Sequence, residues 1–159
     1  MIERKKYNNL ITKIAFNKKA KYKYFIKETL EVGLVLLGWE VKAFKSGNIN
    51  ISDSYISFNS GEFYLIGAQF NALPTTQSYS SCIFNRDRKI LLNKHEIMFL
   101  YQKMYKSGYT IITLSCFLKN NWCKMKIAIA KGKTQHDKRE EKKQAQWNLE
   151  KIKIFKKIR

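Results

Sequence analysis

The chain has 159 residues, 45% of them hydrophobic and 14% aromatic, which suits one domain with a real core plus an appendage. Its formal charge is +19 and its pI about 9.9, a balance that calls for a polyanionic partner: nucleic acid first, an anionic membrane surface second. Cys82, Cys116 and Cys123 have no CxxC spacing, which argues against a disulfide framework or zinc site and fits a reducing cytoplasm; no secretory signal and no apolar run near ~18 residues is present, so no membrane span is expected.

The charge is uneven. Residues 1–27 carry nine Lys/Arg against Glu3, residues 28–130 carry 11 against seven acids, and residues 131–159 carry 11 against four. The pattern predicts a conventional globular centre between cationic ends: a flexible basic N-terminus at 1–10, a folded body at 11–130 and a basic tail at 131–159.

In chain order, Leu10 to Phe16 alternates loosely and reads as a first strand. Asn17 to Tyr24 (NKKAKYKY) interleaves lysines with tyrosines. Tyr24–Leu37 reads as a strand with an irregularity at Gly33. Gly38 to Lys45 has Trp39, Val41 and Phe44 at short helical spacing, ended by Gly47. Ser54–Phe58 and Phe63–Gln69 flank a hairpin turn, Asn59-Ser60-Gly61-Glu62. The polar stretch 71–88 holds the only proline, Pro74, and reads as a long loop. Asn93 is an N-cap with Glu96 at N3, opening a helix to about Lys106 with Ile97, Leu100, Tyr101 and Met104 on one face and Gly108 closing it.

The clearest signal is a second hairpin: Tyr109–Leu118, a turn at Lys119-Asn120-Asn121, then Trp122–Ala130. Strict alternation sends Cys123, Met125, Ile127 and Ile129 inward, and Trp122, Lys124, Lys126, Ala128 and Ala130 outward. Several short strands with turn spacing predict a small barrel carrying two short helices. In the tail, Asp137 reads as a cap with Glu140 at N3. Leu149, Ile152 and Phe155 recur at helical spacing, with Trp147, Ile154 and Ile158 widening the apolar set. Such a helix is marginal alone, so the tail is expected to be disordered when free and ordered on binding.

Enzyme chemistry finds little support. Gly132-Lys133-Thr134 resembles the end of a phosphate loop, but the glycine required five residues earlier is Ile127. His95 has no nucleophile or metal-type partner in spacing, and Asp53 and Glu62 read as turn chemistry. Binding chemistry is better served. Lys18, Lys19, Lys21 and Lys23, interleaved with Tyr22 and Tyr24, combine phosphate neutralisation with rings that stack on unpaired bases. The competing reading is a solvated basic arm, and Lys124 and Lys126 are equally readable as ordinary strand-surface lysines.

Three runs narrow this. NKKAKYKYFIKETLEVGLVLLGWEVKAFKSGNINISDSY, RKILLNKHEI and NNWCKMKIAIAKGKTQHDKRE resemble the SsrA-binding protein family, also called small protein B, the protein partner of bacterial transfer-messenger RNA (tmRNA). The similarity runs from about Ile11 to Arg159, and the blocks GWEVK, ISDSY and AKGKxQHDKR in this order are highly specific. The resemblance implies a mainly β fold, a closed oligonucleotide-binding (OB) type barrel with flanking short helices and a tail disordered in solution. It implies binding to the tRNA-like domain of tmRNA, support of its alanylation, and delivery with elongation factor Tu to stalled ribosomes for trans-translation, with no bond chemistry and no cofactor of its own. Alanyl-tRNA synthetase is then an indirect partner. A general basic RNA-binding or ribosome-associated structural protein is the alternative.

The same resemblance implies roles. Asn17, Lys18, Lys19 and Tyr24 fall in an RNA-facing region. Glu31, Leu91 and Lys124 match positions implicated in tmRNA binding, with Glu31 read as a hydrogen-bond acceptor and Leu91 also readable as core. In GWEVK, Trp39 and Val41 are expected in the core, with Glu40 and Lys42 facing RNA; Lys126, Lys131 and Lys133 join that RNA set. The tail, with Gly132 at its root, is expected to become helical in the empty mRNA channel. There His136 stacks on a decoding-centre base, and Asp137, Lys138 and Arg139 support accommodation. Lys142 and Lys143, with Lys151 and Lys153, track small-subunit RNA phosphates, and Trp147 helps seat the helix. Thr134 stands where many relatives have a basic residue, which weakens one phosphate contact.

Overall fold

The computed structural model describes residues 11–74 and 83–157. The N-terminal segment 1–10, Cys82, the centre of the 71–88 stretch, Ile158 and Arg159 lie outside the described residues.

Strand β1 (Ile11–Phe16) leads into a single helical turn, α1 (Ala20–Lys23), and directly into β2 (Tyr24–Leu34). Helix α2 (Gly38–Ser46) follows, closed by Gly47 in the left-handed conformation. Strands β3 (Ile49–Asn50) and β6 (Gln69–Phe70) pair with each other and bracket the hairpin β4 (Tyr55–Asn59) and β5 (Glu62–Ile66). That hairpin turns through Ser60 and Gly61, both at positive φ, as a two-residue hairpin loop requires. Next come β7 (Arg88–Leu91), α3 (Lys94–Ser107), the long hairpin β8 (Thr110–Lys119) and β9 (Trp122–Gly132), and α4 (Gln135–Lys157).

The main sheet is antiparallel throughout, and its pairings run from β8 to β4, β5, β7, β2, β9 and back to β8. Strand β1 lies on the β8 edge that β4 uses further along. The core inside this circuit comprises Val32, Phe44, Phe63, Leu65, Phe70, Ile90, Leu100, Ile111, Met125, Ile127 and Ile129. Fully burying one such side chain is worth about 1.5–3 kcal/mol, so the alternation along β9 fixes which face is inside.

Four expectations are corrected. Ala128 and Ala130, read as outward, are fully buried: they form a second small cluster with Ala20 and Ile112, covered by Tyr24, Ile26 and Leu114. The unread turn α1 contributes Ala20 to that cluster. The bulge in β2 falls between Ile26 and Glu28, not at Gly33. The presumed loop ends earlier than expected, because Arg88 opens β7. Trp39 and Val41 are only half-buried; Ala43, Phe44 and Glu40 are the α2 residues that reach the interior.

Candidate nucleic-acid interface

Sheet register assembles the first patch. Gly33, the next-to-last residue of β2, pairs with Leu91 on one side and Lys124 on the other. Lys124 in turn pairs with Phe117, and Phe117 with Lys13. Residues opposite one another in antiparallel strands point the same way, so this row lies on one face. Glu31, two residues before Gly33, shares the face and pairs with Lys126. Leu91 is 54% exposed, which rejects its core reading. A Cβ on Gly33 would lie 3.3 Å from Leu91 Cδ1; the missing side chain is what lets Leu91 lean over β2. Beside this row a groove of about 180 Å³ is lined by Lys13, Glu31, Ser115, Phe117 and Lys126. Lys119 Nζ donates to Glu31 Oε2 at 3.4 Å across its rim. An acidic acceptor set among lysines can take a hydroxyl or amino donor while the lysines meet phosphates.

Glu40 is corrected from an RNA contact to an internal one. Its carboxylate is fully buried and accepts from Arg88 Nε at 2.9 Å, Arg86 Nη2 at 2.8 Å and the Leu37 amide at 2.7 Å. Burial pushes this carboxyl up, but the Arg86 hydrogen bond, the Leu37 amide and the charge of Arg88 outweigh it and hold it below its ordinary value. Arg88 also donates to the carbonyls of Ala68, Phe84 and Arg86 and lies 3.9 Å from the Phe70 ring centroid. Glu40 thereby ties α2 to the root of β7, the strand that ends at Leu91. Lys42, one turn face away, is exposed.

The second patch surrounds α1. Lys18 and Lys19 are exposed, Tyr22 and Phe25 are 43% and 46% exposed, and Lys131 pairs with Phe25 across the strands. Asn17 is corrected from a surface contact. It is buried, and its Nδ2 donates to the carbonyls of Thr113 at 3.1 Å and Ile51 at 3.4 Å. Between α1 and the turn before β4 lies a cavity of about 210 Å³, walled by Asn17, Lys23, Tyr24, Ser52, Asp53 and Tyr55 among others. Lys23 and Asp53 form an ion pair of 3.4 Å in its wall.

The tail begins where β9 ends at Gly132, opposite Tyr24. Lys133 is corrected from a phosphate ligand to a pin. Its side chain is largely buried, donates to the Lys21 carbonyl at 2.8 Å, pairs with Glu141 and lies 4.8 Å from the Phe25 ring centroid. The cap is corrected as well. Thr134, not Asp137, opens α4: the Asp137 amide donates to Thr134 Oγ1 at 3.2 Å, and Asp137 Oδ2 accepts from the Thr134 amide at 2.8 Å and its hydroxyl at 2.7 Å. These Thr134 bonds hold the Asp137 carboxyl below its ordinary value. This is a reciprocal capping box placed one turn earlier than Asp137 and Glu140 would put it, because Thr134 meets the chain first as it leaves the sheet.

Lys138 and Lys142, one helical turn apart, both hold their ammonium groups over the Tyr22 ring, at 5.9 and 5.4 Å. Beyond this footing the described side chains of α4 are exposed. His136 presents most of its ring to solvent, with Nε2 3.5 Å from Glu140 Oε1. Arg139 and Lys143 are exposed, and Trp147, Leu149, Ile152 and Ile154 are each more than half exposed. The side chain of Phe155 lies outside the described residues. Sequence reasoning missed Lys13, Lys119, Phe25 and the 52–55 turn. The alternation of β1 carried a signal for Lys13; the others depend on register and on a turn that no periodicity marks.

A family profile described as "SmpB protein" matches residues 14–157. The SsrA-binding protein of Buchnera aphidicola subsp. Baizongia pistaciae (strain Bp) is 53% identical over 152 residues, 96% of either chain. A solved chain from the structure "tmRNA-SmpB: a journey to the center of the bacterial ribosome" superposes with a TM-score of 0.63 at 32% identity, covering 79% of this chain and 92% of that one. The chain belongs to the SmpB family of SsrA-binding proteins.

Proposed function

We propose that this protein binds tmRNA and serves trans-translation on stalled ribosomes. The observation that carries the reading is the Leu91–Gly33–Lys124 row with Glu31 beside it. Residues far apart in sequence meet on one face, in a chain 53% identical to an SsrA-binding protein. Residues 11–130 act as an OB-type barrel, a reading supported by the circuit of strand pairings, and grip the tRNA-like domain. Glu31, Leu91, Lys124, Lys126, Lys131, Lys18, Lys19, Tyr24 and Lys42 are the contact candidates. Glu40 and Asn17 act from inside, by holding β7 and the 51–54 turn. This grip supports alanylation and delivery with elongation factor Tu.

Residues 131–159 form the ribosome-directed tail. Its exposed face, with His136, Arg139, Lys143 and Trp147, enters the decoding centre and the vacant mRNA channel, while Lys133, Thr134 and Asp137 secure its root. A helix with this much exposed apolar and basic surface is weakly stable alone, so the tail beyond Lys143 is disordered in the free protein and orders against ribosomal RNA. The protein is a cytoplasmic RNA-binding factor and not an enzyme.

Competition binding tests the reading. Labelled tRNA-like domain bound to the full chain should resist displacement by an unrelated structured RNA, with affinity falling steeply as salt rises. Truncation after Gly132 should spare that binding and abolish tagging. Equal displacement by both RNAs would leave a general RNA-binding protein instead.

A further inference from the structure

Three lysines from different elements converge on Tyr109. The ladder between β8 and β9 starts with Thr110 opposite Ala130, which sets Tyr109, the residue before β8, beside Lys131. The Tyr109 amide donates to the Lys103 carbonyl at 3.4 Å, where α3 ends. On β2 the bulge between Ile26 and Glu28 leaves Lys27 without a cross-strand partner on β9, and a bulge re-aims the side chain it sets free. The Lys27 ammonium lies 4.8 Å from the Tyr109 ring centroid.

This cluster stands apart from the Leu91–Lys124 row. Side chains alternate along β9: Lys124 and Lys126 face outward, whereas Lys131 follows Ile127 and Ile129 on the core side. Tyr109 packs against that same core. Lys27 precedes Gly33 by six residues of β2, roughly 20 Å of strand, so one phosphate cannot serve both places.

The groups gathered here are donors. An ammonium only donates hydrogen bonds. The Lys27 hydrogen bond, with the charges of Lys27, Lys131 and Lys103, holds the Tyr109 phenol below its ordinary value against the pull of burial. The phenol oxygen accepts from Lys27, and its own proton is left to donate elsewhere. The nearby carboxylate, Glu28, is taken by Lys103 at 3.6 Å. Lys27 and Lys131 are exposed and form no ion pair among the described residues. Two free ammonium groups and a hydroxyl around one point repel one another until an anion enters. The oxygens of an RNA phosphate accept from all three.

We infer that Lys27, Lys131 and the Tyr109 hydroxyl together bind one phosphodiester group of RNA, at a contact separate from the Leu91–Lys124 row. The inference rests on the RNA-binding reading. The tRNA-like domain and ribosomal RNA both supply this chemistry, and the test separates them.

The full chain is titrated in two arms, with the tRNA-like domain alone and with vacant ribosomes. Lys27→Gln combined with Lys131→Gln should leave Tm unchanged, since both side chains are exposed. It should reduce the slope of log affinity against log salt by roughly 0.9, so that the gap between parent and variant closes about threefold between about 50 and 200 mM salt. A loss in the first arm assigns the phosphate to the tRNA-like domain; a loss in the second arm alone assigns it to the ribosome. Tyr109→Phe keeps the ring, removes the hydroxyl and should weaken binding a few-fold in the same arm at an unchanged slope. Lys45→Gln with Lys94→Gln makes the same change in net charge at two exposed lysines away from the cluster and should keep the parent's slope. The inference is overturned by unchanged slopes in both arms for the Lys27 and Lys131 pair, by an equal fall in the Lys45 and Lys94 control, or by parent-like affinity of Tyr109→Phe. If Lys124→Ala still weakens binding in that event, the RNA reading stands. If Lys124→Ala also binds like the parent, that reading falls too.

Discussion

The β7–β2–β9–β8 face and the helix α4 both present lysines, yet they are held in opposite ways. On the sheet face, Leu91, Gly33, Lys124 and Phe117 are fixed by hydrogen-bonded register between four strands, with a buried Glu40–Arg88 pair anchoring the root of β7. The tail is held by a few side-chain contacts at its root: Thr134 with Asp137, Lys133 with Glu141 and the Lys21 carbonyl, and two lysines over the Tyr22 ring. The first arrangement is rigid before any partner arrives; the second leaves most of a 23-residue helix in solvent. A preformed face suits a folded RNA of fixed shape, and a loosely rooted helix suits a channel that must be entered.

That contrast breaks most visibly at Glu40. Glu40→Ala leaves Arg88 buried and unpaired and should cost about 3–5 kcal/mol, read as a fall in Tm of roughly 10 °C with the α4 ellipticity contribution little changed. Its pH signature follows from the depressed carboxyl. The Glu40 contribution is fully present above the unfolded glutamate value of about 4.3 and is lost as pH falls through the lower folded value. Acid titration of stability should therefore steepen below about pH 4 in the parent and flatten in Glu40→Gln.

Lys124→Ala should leave Tm nearly unchanged, weaken binding to the tRNA-like domain and reduce the slope of log affinity against log salt by roughly 0.9. An unchanged slope would remove Lys124 from the phosphate-contacting set. Gly33→Ala sharpens the role of register further. Its backbone is not left-handed, so stability should stay within about 1 kcal/mol of the parent. Displacing the Leu91 side chain, which the new methyl group would meet at 3.3 Å, should still lower RNA affinity a few-fold in the same titration. The smallest effect belongs to the tail: Thr134→Ala should reduce helicity by circular dichroism without moving the Tm of the sheet body. A coincident loss of both would mean that tail and sheet fold as one unit.

The sequence was most readable where one periodicity acted alone. The alternation of β9 put Met125, Ile127 and Ile129 in the core, and Asn93, Glu96 and Gly108 bounded α3. It failed where two structures compete for one side chain. Ala128 and Ala130 point away from the main core and are still buried, because a one-turn helix folds over them. Glu40 has an exposed-looking charge, and only Arg86 and Arg88, some 46 and 48 residues later, explain its burial. Lys133 reads as a phosphate ligand until the Lys21 carbonyl and the Glu141 carboxylate claim its ammonium group. Motif resemblance located the tail, whereas the distinction between lysines that bind outward and lysines that fasten inward required tertiary contacts.

The footing of α4 on Tyr22 has a mechanical consequence. At 1.5 Å per residue a helix of 23 residues reaches about 34 Å. Once the tail has ordered, with its restraints to the sheet body among the described residues confined to the first two turns, it behaves as a lever pivoted at one end. A tilt of about 10° at the pivot carries the tip roughly 6 Å, more than one nucleotide's thickness. Lys138 and Lys142 grip Tyr22 through ring-face attraction, which tolerates such tilting better than a directional hydrogen bond would. Small adjustments of α1 are thus converted, once the tail has ordered, into larger displacements toward the tip of the helix.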